Sequence, residues 1–412
     1  MNILIVMSGG FDTYGPSRHL YEALIEDFLS HGFFIHLIES HTTGADPDVP
    51  EKIKENTHFS YDSVKEKFAK KNQFLKRYLY GLKYTYDIRP ILKHAKTKYD
   101  LCLIQSCVWA PFMVPQVKKI CKSLTVWNIQ DMFPGASIAN GVIKNKLLAK
   151  FFYKLHKRAF KYADYISVIS EDMKKKVLEQ GFPANRIEVI YDWFDDKTVK
   201  EISWDENTFV KKYCMEKDIF YVQYAGTMGY NFDYNTVIKV ADKLKTYKHI
   251  VFQMVGFGSQ LEKFKNMAKE LSLNNIHFIP IQKQNLVSHV YSACSVCFIP
   301  LPLGVIGNSV PSKIGLLMAC KRPIITSSDL NSHYLKMIND NKIGYGFPNG
   351  NIDDIANKIL ELSLNKEKCL EIGNNGYNFG KVLFSRTYNT KKYVDFFEEI
   401  YEGIKHENFR ND

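Results

Sequence analysis

Short apolar runs alternate with amphipathic stretches along the whole 412-residue chain. In the amphipathic stretches the apolar residues recur three or four positions apart, which is the spacing of one helix face. Strands that alternate with helices are typical of parallel sheets joined by crossover helices. The pattern predicts six strands in the first half, at "NILIVMS", "FFIHLIES", "YDLCLIQS", "LTVWNIQ", "YISVIS" and "IEVIYDW".

A more polar segment from Asp195 to Asp218 interrupts this pattern, which then restarts. Chains of this length usually divide into two domains. We therefore predict an α/β protein of two doubly wound, Rossmann-like domains, residues 1–197 and 198–385, that face a central cleft. A helix over 386–412 is expected to pack back towards the first domain. The strands predicted in the second domain are "FYVQYAG", "IVFQMVG", "IHFIPI", "VCFIPL", "PIITSS" and "GYGFP".

Positive charge is concentrated in one part of the chain. The net charge is +11, and the segment from Lys65 to Lys98 carries eleven Lys and Arg residues interleaved with aromatic ones. A basic helix with an aromatic face suits an anionic membrane surface. An ordinary surface helix with a buried aromatic stripe gives the same pattern, so both interpretations stay open. No nucleic-acid motif accompanies the charge, and we predict no nucleic-acid partner.

We expect the protein to remain in the cytoplasm. The start "MNILIVMSGG" lacks a basic leader and a cleavage site, and no apolar run approaches the roughly 20 residues of a membrane span. Cys294 and Cys297 form a C-x-x-C at the entry to an apolar strand, with no second pair or histidine cluster to complete a zinc site. We interpret them as buried thiols and predict no metal.

Three loops that follow predicted strands carry the candidate chemistry, because ligands of open α/β sheets bind at the carboxyl ends of the strands. They read "SGGFDTYGPSRHL", "AGTMGYNFD" and "GVIGNSVPSKI". The first is neither a dinucleotide fingerprint nor a Walker loop, which argues against NAD and ATP. In the third, Pro311 suits a first helical turn and Ser309 or Asn308 is a candidate cap. Lys313 adds a charge suited to phosphate.

Six segments, in this order and at this spacing, resemble the GT-B glycosyltransferases, specifically the retaining, family 4-like (group 1) enzymes of the O-antigen and capsule amino-sugar or deoxy-sugar branch. The resemblance covers essentially the whole chain. The segments are "GPSRHLYEALIEDFLSHGF", "NIQDMFPGASIANG", "YISVISEDMKKKVLEQGFPANRIEVIYDWFD", "YAGTMGYNFDYNTVI", "MVGFGSQLEKFKNMAKELSLNNIHFIPIQ" and "GNSVPSKIGLLMACKRPII".

The resemblance implies roles for individual positions. Catalysis would rest on Lys313, Asn308 and Asp131, with Lys313 facing the donor diphosphate and Asp131 facing the acceptor hydroxyl. His19 and Glu39 are weaker acceptor-side candidates. The implied donor-binding positions are Gly10, Gly15, Arg18, Gly226, Thr227, Gly256, Gly258, Ile281, Ser309 and Ser312.

The chain departs from the family pattern at four charged positions. Two glutamates eight positions apart are replaced by Asn308 and Leu316, and an arginine and a lysine by Thr227 and, approximately, Phe232. The related amino-sugar and deoxy-sugar branch lacks some of these charges and still reads Pro-x-Lys at the helix, which keeps catalysis as the main hypothesis. A non-catalytic partner of another transferase is the alternative, and a nucleotide-sugar epimerase is a third.

We therefore expect a glycosyltransferase without a cofactor or metal that takes a nucleotide sugar, with UDP as the expected nucleotide. The expected acceptor is a saccharide or a polyprenyl-diphosphate-linked saccharide, in cell-surface polysaccharide synthesis, and the expected surface partner is an anionic membrane. The expected location is peripheral, on the inner face of the cell membrane. Sequence leaves the donor sugar, the linkage and the oligomeric state open.

Overall fold

The structure, a computed structural model, describes residues 1–11, 18–41, 48–67, 73–95, 97–139, 141 and 143–411. The chain divides into two compact units, Met1–Tyr191 with Asn389–Asp412, and Asp192–Tyr388. Each unit contains one parallel sheet with its own buried core.

The first unit is built on a seven-stranded sheet in the order β3-β2-β1-β4-β5-β6-β7. Its strands are β1 Asn2–Ser8, β2 Phe34–His41, β3 Phe59–Lys65, β4 Leu101–Gln105, β5 Leu124–Ile129, β6 Tyr165–Val168 and β7 Ile187–Val189. Its helices are α1 Arg18–Ser30, α2 Glu51–Lys54, α3 Phe74–Asp87, α4 Arg89–His94, α5 Ala110–Cys121, α6 Gly135–Ala139, α7 Lys146–Ala159 and α8 Glu171–Glu179.

The second unit is built on a six-stranded sheet in the order β10-β9-β8-β11-β12-β13. Its strands are β8 Phe220–Thr227, β9 Ile250–Phe257, β10 Ile276–Ile279, β11 Val296–Pro300, β12 Ile324–Ser328 and β13 Gly344–Pro348. Its helices are α9 Thr208–Lys212, α10 Tyr234–Leu244, α11 Leu261–Glu270, α12 Val287–Ser292, α13 Ile314–Ala319, α14 His333–Asp340, α15 Ile352–Ser363 and α16 Lys366–Leu383. The last helix of the chain is α17, Arg386–Asn411.

Both sheets are doubly wound, as predicted. All twelve strands expected from the apolar runs form. The inner strands of both sheets are buried on both faces, whereas the edge strands β10 and β13 are only partly buried. One further strand, β3, was missed. It lies at the edge of the first sheet, and its side chains alternate between half-buried and exposed, so that its sequence lacks an apolar run.

The chain crosses between the units at two places. The segment 192–197, which the sequence assigned to the first domain, bonds instead within the second unit. The Phe194 amide donates to the Phe384 carbonyl at 3.0 Å, and the Thr387 hydroxyl donates to Asp196 at 2.7 Å. From Asn389 onward, α17 belongs to the first unit, where the Asn128 side chain donates to the Tyr393 hydroxyl at 2.9 Å.

The basic segment forms part of β3, then α3 and α4, with residues 68–72 and 96 outside the described chain. One face of α3 is core. Tyr84 is buried and its hydroxyl donates to the Met7 carbonyl at 2.8 Å, while a Cβ on Gly81 would lie 2.1 Å from the Trp109 ring. The other face exposes Leu79 and Tyr86. The buried aromatic stripe therefore exists, and it accounts for part of the pattern without a membrane.

In the part of the chain that the structure describes, no helix is both long and apolar enough to cross a bilayer.

Candidate functional site

The candidate site of the second unit lies at the carboxyl ends of β8 and β11. From β8 the sheet extends through β9 to β10 on one side, and from β11 it extends through β12 to β13 on the other side. The winding of the chain therefore changes direction between β8 and β11, and doubly wound sheets bind ligands in the crevice at that point. A cavity of about 360 Å³ opens there. It is lined by Tyr224, Ala225, Gly226, Thr227, Asn231, Tyr291, Ile299, Leu301, Val305, Ser309, Val310, Pro311, Ser312, Lys313 and Leu316.

Lys313 supplies the positive charge of this cavity. Its Nζ lies 3.6 Å from the centroid of the Tyr224 ring, close enough for a cation–π interaction. Among the ion pairs of the described residues, none involves Lys313. The ammonium is therefore held over an aromatic ring, and its charge is not neutralised by a carboxylate.

The backbone of Gly226 lies next to the Lys313 ammonium. The φ of Gly226 is +145°, a backbone conformation that residues other than glycine rarely adopt, and a Cβ there would lie 2.8 Å from Lys313 Nζ. Without that Cβ the ammonium can sit directly above the end of β8. A ligand oxygen near Nζ can thus also approach the backbone closely.

Gly256 and Gly258, predicted donor-binding positions, have a packing role in the structure. Gly256 is the register partner of Gly226, and a Cβ on it would lie 1.9 Å from the Gly226 carbonyl oxygen. A Cβ on Gly258 would lie 2.3 Å from the Met228 carbonyl oxygen. Gly256 thus allows the ends of β8 and β9 to pair closely, and Gly258 allows the loop after β9 to pack on the loop after β8. Neither glycine lines the cavity.

The loop before Lys313 differs from the prediction. Neither Asn308 nor Ser309 caps the helix, which begins at Ile314 and is six residues long. The Asn308 side chain instead donates to the Gly304 carbonyl at 2.8 Å and closes the loop on itself. The predicted cap was therefore wrong, and the lysine rather than a long helix dipole is the main positive feature of this loop. Ser309 and Ser312 line the cavity beside it.

The positions at which this chain lacks a charged residue of the family pattern differ in their surroundings. Thr227 and Leu316 line the cavity. Phe232 is buried in the core, with its ring centroid 4.2 Å from that of Tyr224, so a cation at that position would have no room. Ile281 is exposed on the loop after β10, at the same edge of the sheet but outside the cavity lining.

Burial raises the pKa values of three side chains of the second unit, Tyr291, Cys294 and Cys297. Tyr291 is fully buried and its hydroxyl donates to the Ala225 carbonyl at 3.3 Å, and burial raises the pKa of Tyr291 well above its ordinary value. Burial also raises the pKa of Cys297 to about 12, an effect that the nearby Lys313 charge partly opposes. Cys294 is buried and its pKa is likewise raised by burial. These thiols remain neutral and unreactive, as the sequence predicted.

The first unit has its own carboxyl edge, where the loop after β1 carries Gly10. The Phe11 amide donates to Glu39 Oε2 at 2.8 Å, and the Tyr61 hydroxyl donates to Glu39 Oε1 at 2.6 Å. A Cβ on Gly10 would collide with the Met7 side-chain end and lie 3.3 Å from Glu39 Oε2. Glu39, weighed above as an acceptor-side residue, therefore fixes the start of this loop. Gly15 lies outside the described residues.

Arg18 and Asp131 lie at the same edge. The Arg18 guanidinium donates to the Asp48 carboxylate at 3.0 Å and lies 3.6 Å from Glu22. Binding a phosphate would require Arg18 to exchange these partners. Asp131 follows β5 on an exposed bend, and its carbonyl accepts from the Ser106 hydroxyl at 3.2 Å. His19 lies on the exposed side of α1.

A larger cavity of about 560 Å³ opens at the opposite edge of the first sheet. Its lining includes Asn2, Phe34 and Phe59, which are the first residues of their strands. Parallel sheets bind ligands at the carboxyl ends of the strands rather than the amino ends. The smaller cavity with Lys313 is therefore the better candidate for chemistry.

Among the cavity residues that sequence reasoning did not single out are the two aromatic ones, Tyr224 and Tyr291. Tyr224 could have been found, because it lies two positions before Gly226 on one strand and so faces the same side. Tyr291 comes from α12, and only the folded chain brings it against the end of β8.

Family models match both halves of the chain. Residues 15–197 match the model described as Glycosyltransferase Family 4, and residues 205–379 match the model described as Glycosyl transferases group 1. By its two domains, the chain belongs to the family 4-like, GT-B glycosyltransferases. The GT-B fold predicted from the sequence is confirmed, with one doubly wound α/β domain in each half.

Curated relatives of this glycosyltransferase-family chain are distant. It is 24% identical over 242 residues to the probable glycosyltransferase WbjE of Pseudomonas aeruginosa, covering 57% of this chain and 58% of that protein. It is 22% identical over 236 residues to the putative colanic acid biosynthesis glycosyl transferase WcaI of Escherichia coli, covering 56% and 58%. The alignments thus span less than two thirds of these relatives.

Solved structures resemble this glycosyltransferase-family chain over nearly its whole length. A sucrose-phosphate synthase from Thermosynechococcus elongatus has a TM-score of 0.75 at 14% identity, covering 98% of this chain and 100% of that one. Anabaena HepE in complex with UDP-glucose has a TM-score of 0.71 at 15% identity, covering 97% and 100%. At these identities the likeness concerns the fold alone.

Proposed function

We propose that the chain transfers a sugar from a nucleoside-diphosphate donor, UDP-linked, to a saccharide acceptor, with retention and without a metal ion. The observation that carries this proposal is the position of Lys313 over Tyr224 and Gly226, at the switch point of the second sheet. The Anabaena protein of the same fold was crystallised with UDP-glucose, which supports UDP as the nucleotide.

The chemistry requires a positive charge near the leaving group. As the glycosidic bond breaks, the sugar gains oxocarbenium character and the departing diphosphate gains negative charge. A fixed ammonium stabilises that charge more in the transition state than in the bound donor. Lys313 provides this ammonium in a half-enclosed cavity, and the hydroxyls of Ser309, Ser312 and Thr227 line the same space.

On the acceptor side, we assign Asp131 the role of orienting the acceptor hydroxyl. Its exposed position after β5 suits a group that must contact a second substrate. In the retaining reaction that we propose, the acceptor attacks from the face that the diphosphate leaves, and the departing phosphate oxygen takes the proton of the hydroxyl. Asp131 then positions the hydroxyl and need not itself accept the proton.

We place this reaction in cell-surface polysaccharide synthesis, on a polyprenyl-diphosphate-linked acceptor at the inner face of the membrane. The relative WcaI is named as a putative colanic acid biosynthesis glycosyl transferase, which supports a surface-polysaccharide role. The net charge of +11 favours an anionic surface. An amino or deoxy sugar is the proposed donor sugar, from the resemblance to that branch of the family.

Isothermal titration with UDP, GDP and TDP tests the proposal. We expect UDP to bind most tightly, and Lys313→Met to weaken UDP binding about 10- to 100-fold while leaving the weaker binding of uridine unchanged, since a charged hydrogen bond contributes about 1.5–3 kcal/mol. Lys336→Met, an exposed lysine on α14, is the matched control. Equal losses for UDP and uridine would contradict a role of Lys313 at the phosphates.

A non-catalytic partner of another transferase is the second candidate. The observation that favours it is that the two glutamate positions of the family are occupied by Asn308, whose amide is bonded to Gly304, and by the apolar Leu316. Release of UDP from UDP-sugars separates the candidates. UDP binding without any turnover across a donor panel, with membrane-extracted lipid-linked saccharides as acceptors, would favour the partner role.

A further inference from the structure

The first unit carries an exposed apolar surface that the donor site does not explain. It lies on α7, where Leu147 is 76% exposed, Phe151 is 56% exposed and Leu148 is 43% exposed. Phe151 lies one helical turn after both Leu147 and Leu148, at i+4 and i+3, and is therefore adjacent to each of them. We call them, together with Lys146, Lys150 and Lys154, the α7 outer face.

The opposite face of α7 holds the helix firmly in the first unit. Asn145 caps the helix by accepting from the Leu147 and Leu148 amides at 2.9 and 3.1 Å. Phe152 is buried, with its ring centroid 4.9 Å from that of Phe133 and 5.4 Å from that of Tyr78 on α3. The apolar side chains of the outer face thus project from a packed helix and not from a fraying end.

The charge on this helix has a single sign. The α7 sequence, "KLLAKFFYKLHKRA", contains four lysines and one arginine and no acidic residue. The neighbouring α3 adds the exposed Lys76 and Arg77 and the half-exposed Leu79. Most protein partners would leave several of these lysines unpaired, because a matching partner needs a dense acidic rim around an apolar centre.

Large apolar side chains flanked by lysines on one face of a helix are the chemistry that binds an anionic lipid surface. The apolar groups enter the boundary between headgroups and acyl chains, and the lysines pair with the phosphates. We propose that the α7 outer face docks the protein on an anionic bilayer. This deepens the proposed function, since it rests on the proposed membrane location and assigns the main contact to α7, with α3 beside it, rather than to the whole 65–98 segment.

Flotation with vesicles tests this docking surface. We expect the full chain to bind vesicles of equimolar phosphatidylcholine and phosphatidylglycerol, and to bind pure phosphatidylcholine much less. Lys146→Gln/Lys150→Gln/Lys154→Gln should weaken binding about a hundredfold, since each lysine contributes about fivefold at an anionic surface, and the loss should shrink at high salt. Leu147→Ser/Leu148→Ser/Phe151→Ser should weaken binding about tenfold or more at any salt concentration.

A matched control removes equally exposed apolar residues from the second unit. Leu364→Ser/Leu370→Ser should bind vesicles like the unchanged protein, since both side chains are exposed but lie on α16 and the turn before it. Circular dichroism of each variant establishes that it is folded. Vesicle binding by the α7 variants equal to that of the unchanged chain would overturn the proposal. So would a dimer in sedimentation velocity that the serine variants abolish, because a second copy would then occupy the face.

UDP titration of the same samples separates this inference from the proposed function. The α7 variants should keep the UDP affinity of the unchanged protein, because the donor cavity is built entirely from residues of the second unit. Vesicle binding through α7 by a chain that binds no nucleotide would support the docking surface and contradict the transferase. UDP binding with no vesicle binding would do the reverse.

Discussion

Gly226→Ala should weaken nucleotide binding because the new Cβ displaces the Lys313 side chain, and not only because it strains the backbone. The new Cβ would lie 2.8 Å from Lys313 Nζ and 3.5 Å from its Cε. The first distance is shorter than real Cβ contacts, and the obstructing atom is the end of a flexible side chain. The ammonium can therefore move away, and its movement takes the charge away from the donor phosphates.

The magnitude follows from two separate effects. Forcing alanine to the φ of +145° at Gly226 should destabilise the second unit by about 1–3 kcal/mol. Displacing the ammonium should cost about 1.5–3 kcal/mol of UDP binding, which is about a 10- to 100-fold increase in Kd. The first effect shows in unfolding by urea and the second in titration with UDP.

A double-mutant cycle tests whether the second effect depends on Lys313. A methionine at 313 ends near the lysine Cε and lacks the Nζ atom that the Cβ displaces. In the Lys313→Met background, Gly226→Ala should therefore change the UDP affinity by less than about 0.5 kcal/mol. If Gly226→Ala weakens UDP binding as much in that background as in the unchanged chain, the lysine is not the mediator and our reasoning is wrong.

Gly350→Ala is the control for backbone strain. Gly350 has a φ of +84° in the same unit, and a Cβ on it would meet no atom within 4 Å. It should lose stability by about 1–3 kcal/mol and keep its UDP affinity.

Three further predictions follow from burial and close contacts. Gly256→Ala should destabilise the second unit by about 3 kcal/mol or more, measured by urea unfolding, because its Cβ would lie 1.9 Å from the backbone oxygen of Gly226, which cannot move aside. Asn308→Ala should lower the free energy of unfolding by about 1–2 kcal/mol, because the Gly304 carbonyl loses its hydrogen bond, and the variant should still bind UDP more tightly than GDP. A larger effect on UDP affinity than on stability would show that Asn308 contacts the donor directly. Burial lowers the pKa of His156 from 6.5 to about 4. As the pH falls, the unfolded chain therefore protonates this imidazole before the folded chain does, and the free energy of unfolding falls by about 3 kcal/mol between pH 6.5 and pH 4. His156→Phe should flatten this part of the plot of unfolding free energy against pH, and an unchanged plot would contradict the prediction.

The division into buried strands and amphipathic helices was readable from the sequence. Strands such as β1 and β8 are buried on both faces and therefore appear as continuous apolar runs. The edge strand β3 was not readable, because half of its side chains face solvent and the local sequence resembles a polar loop. Burial on both faces was thus sufficient for the sequence pattern to reveal a strand, and short apolar runs also revealed the partly buried edge strands β10 and β13.

The candidate site was readable only in part. The sequence picked out Lys313 and Gly226 as separate loop features, but their contact depends on β8 and β11 being neighbours in the sheet. The helix cap at Ser309 or Asn308 was predicted wrongly, since residue types alone do not show that the Asn308 amide bonds to the Gly304 carbonyl instead. The exposed α7 outer face was also missed, because periodicity gives the spacing of apolar residues and not which face is covered.

The sequence by itself determined the order of the apolar strands, the two-domain division and the family, because apolar runs and loop motifs are local properties of the chain. The tertiary structure decided which loops meet, which glycines serve packing and which apolar side chains remain in solvent. These are properties of pairs of segments far apart in the chain. Lys313 over the ring of Tyr224, 89 residues apart in the numbering (313 − 224), is a contact of that kind.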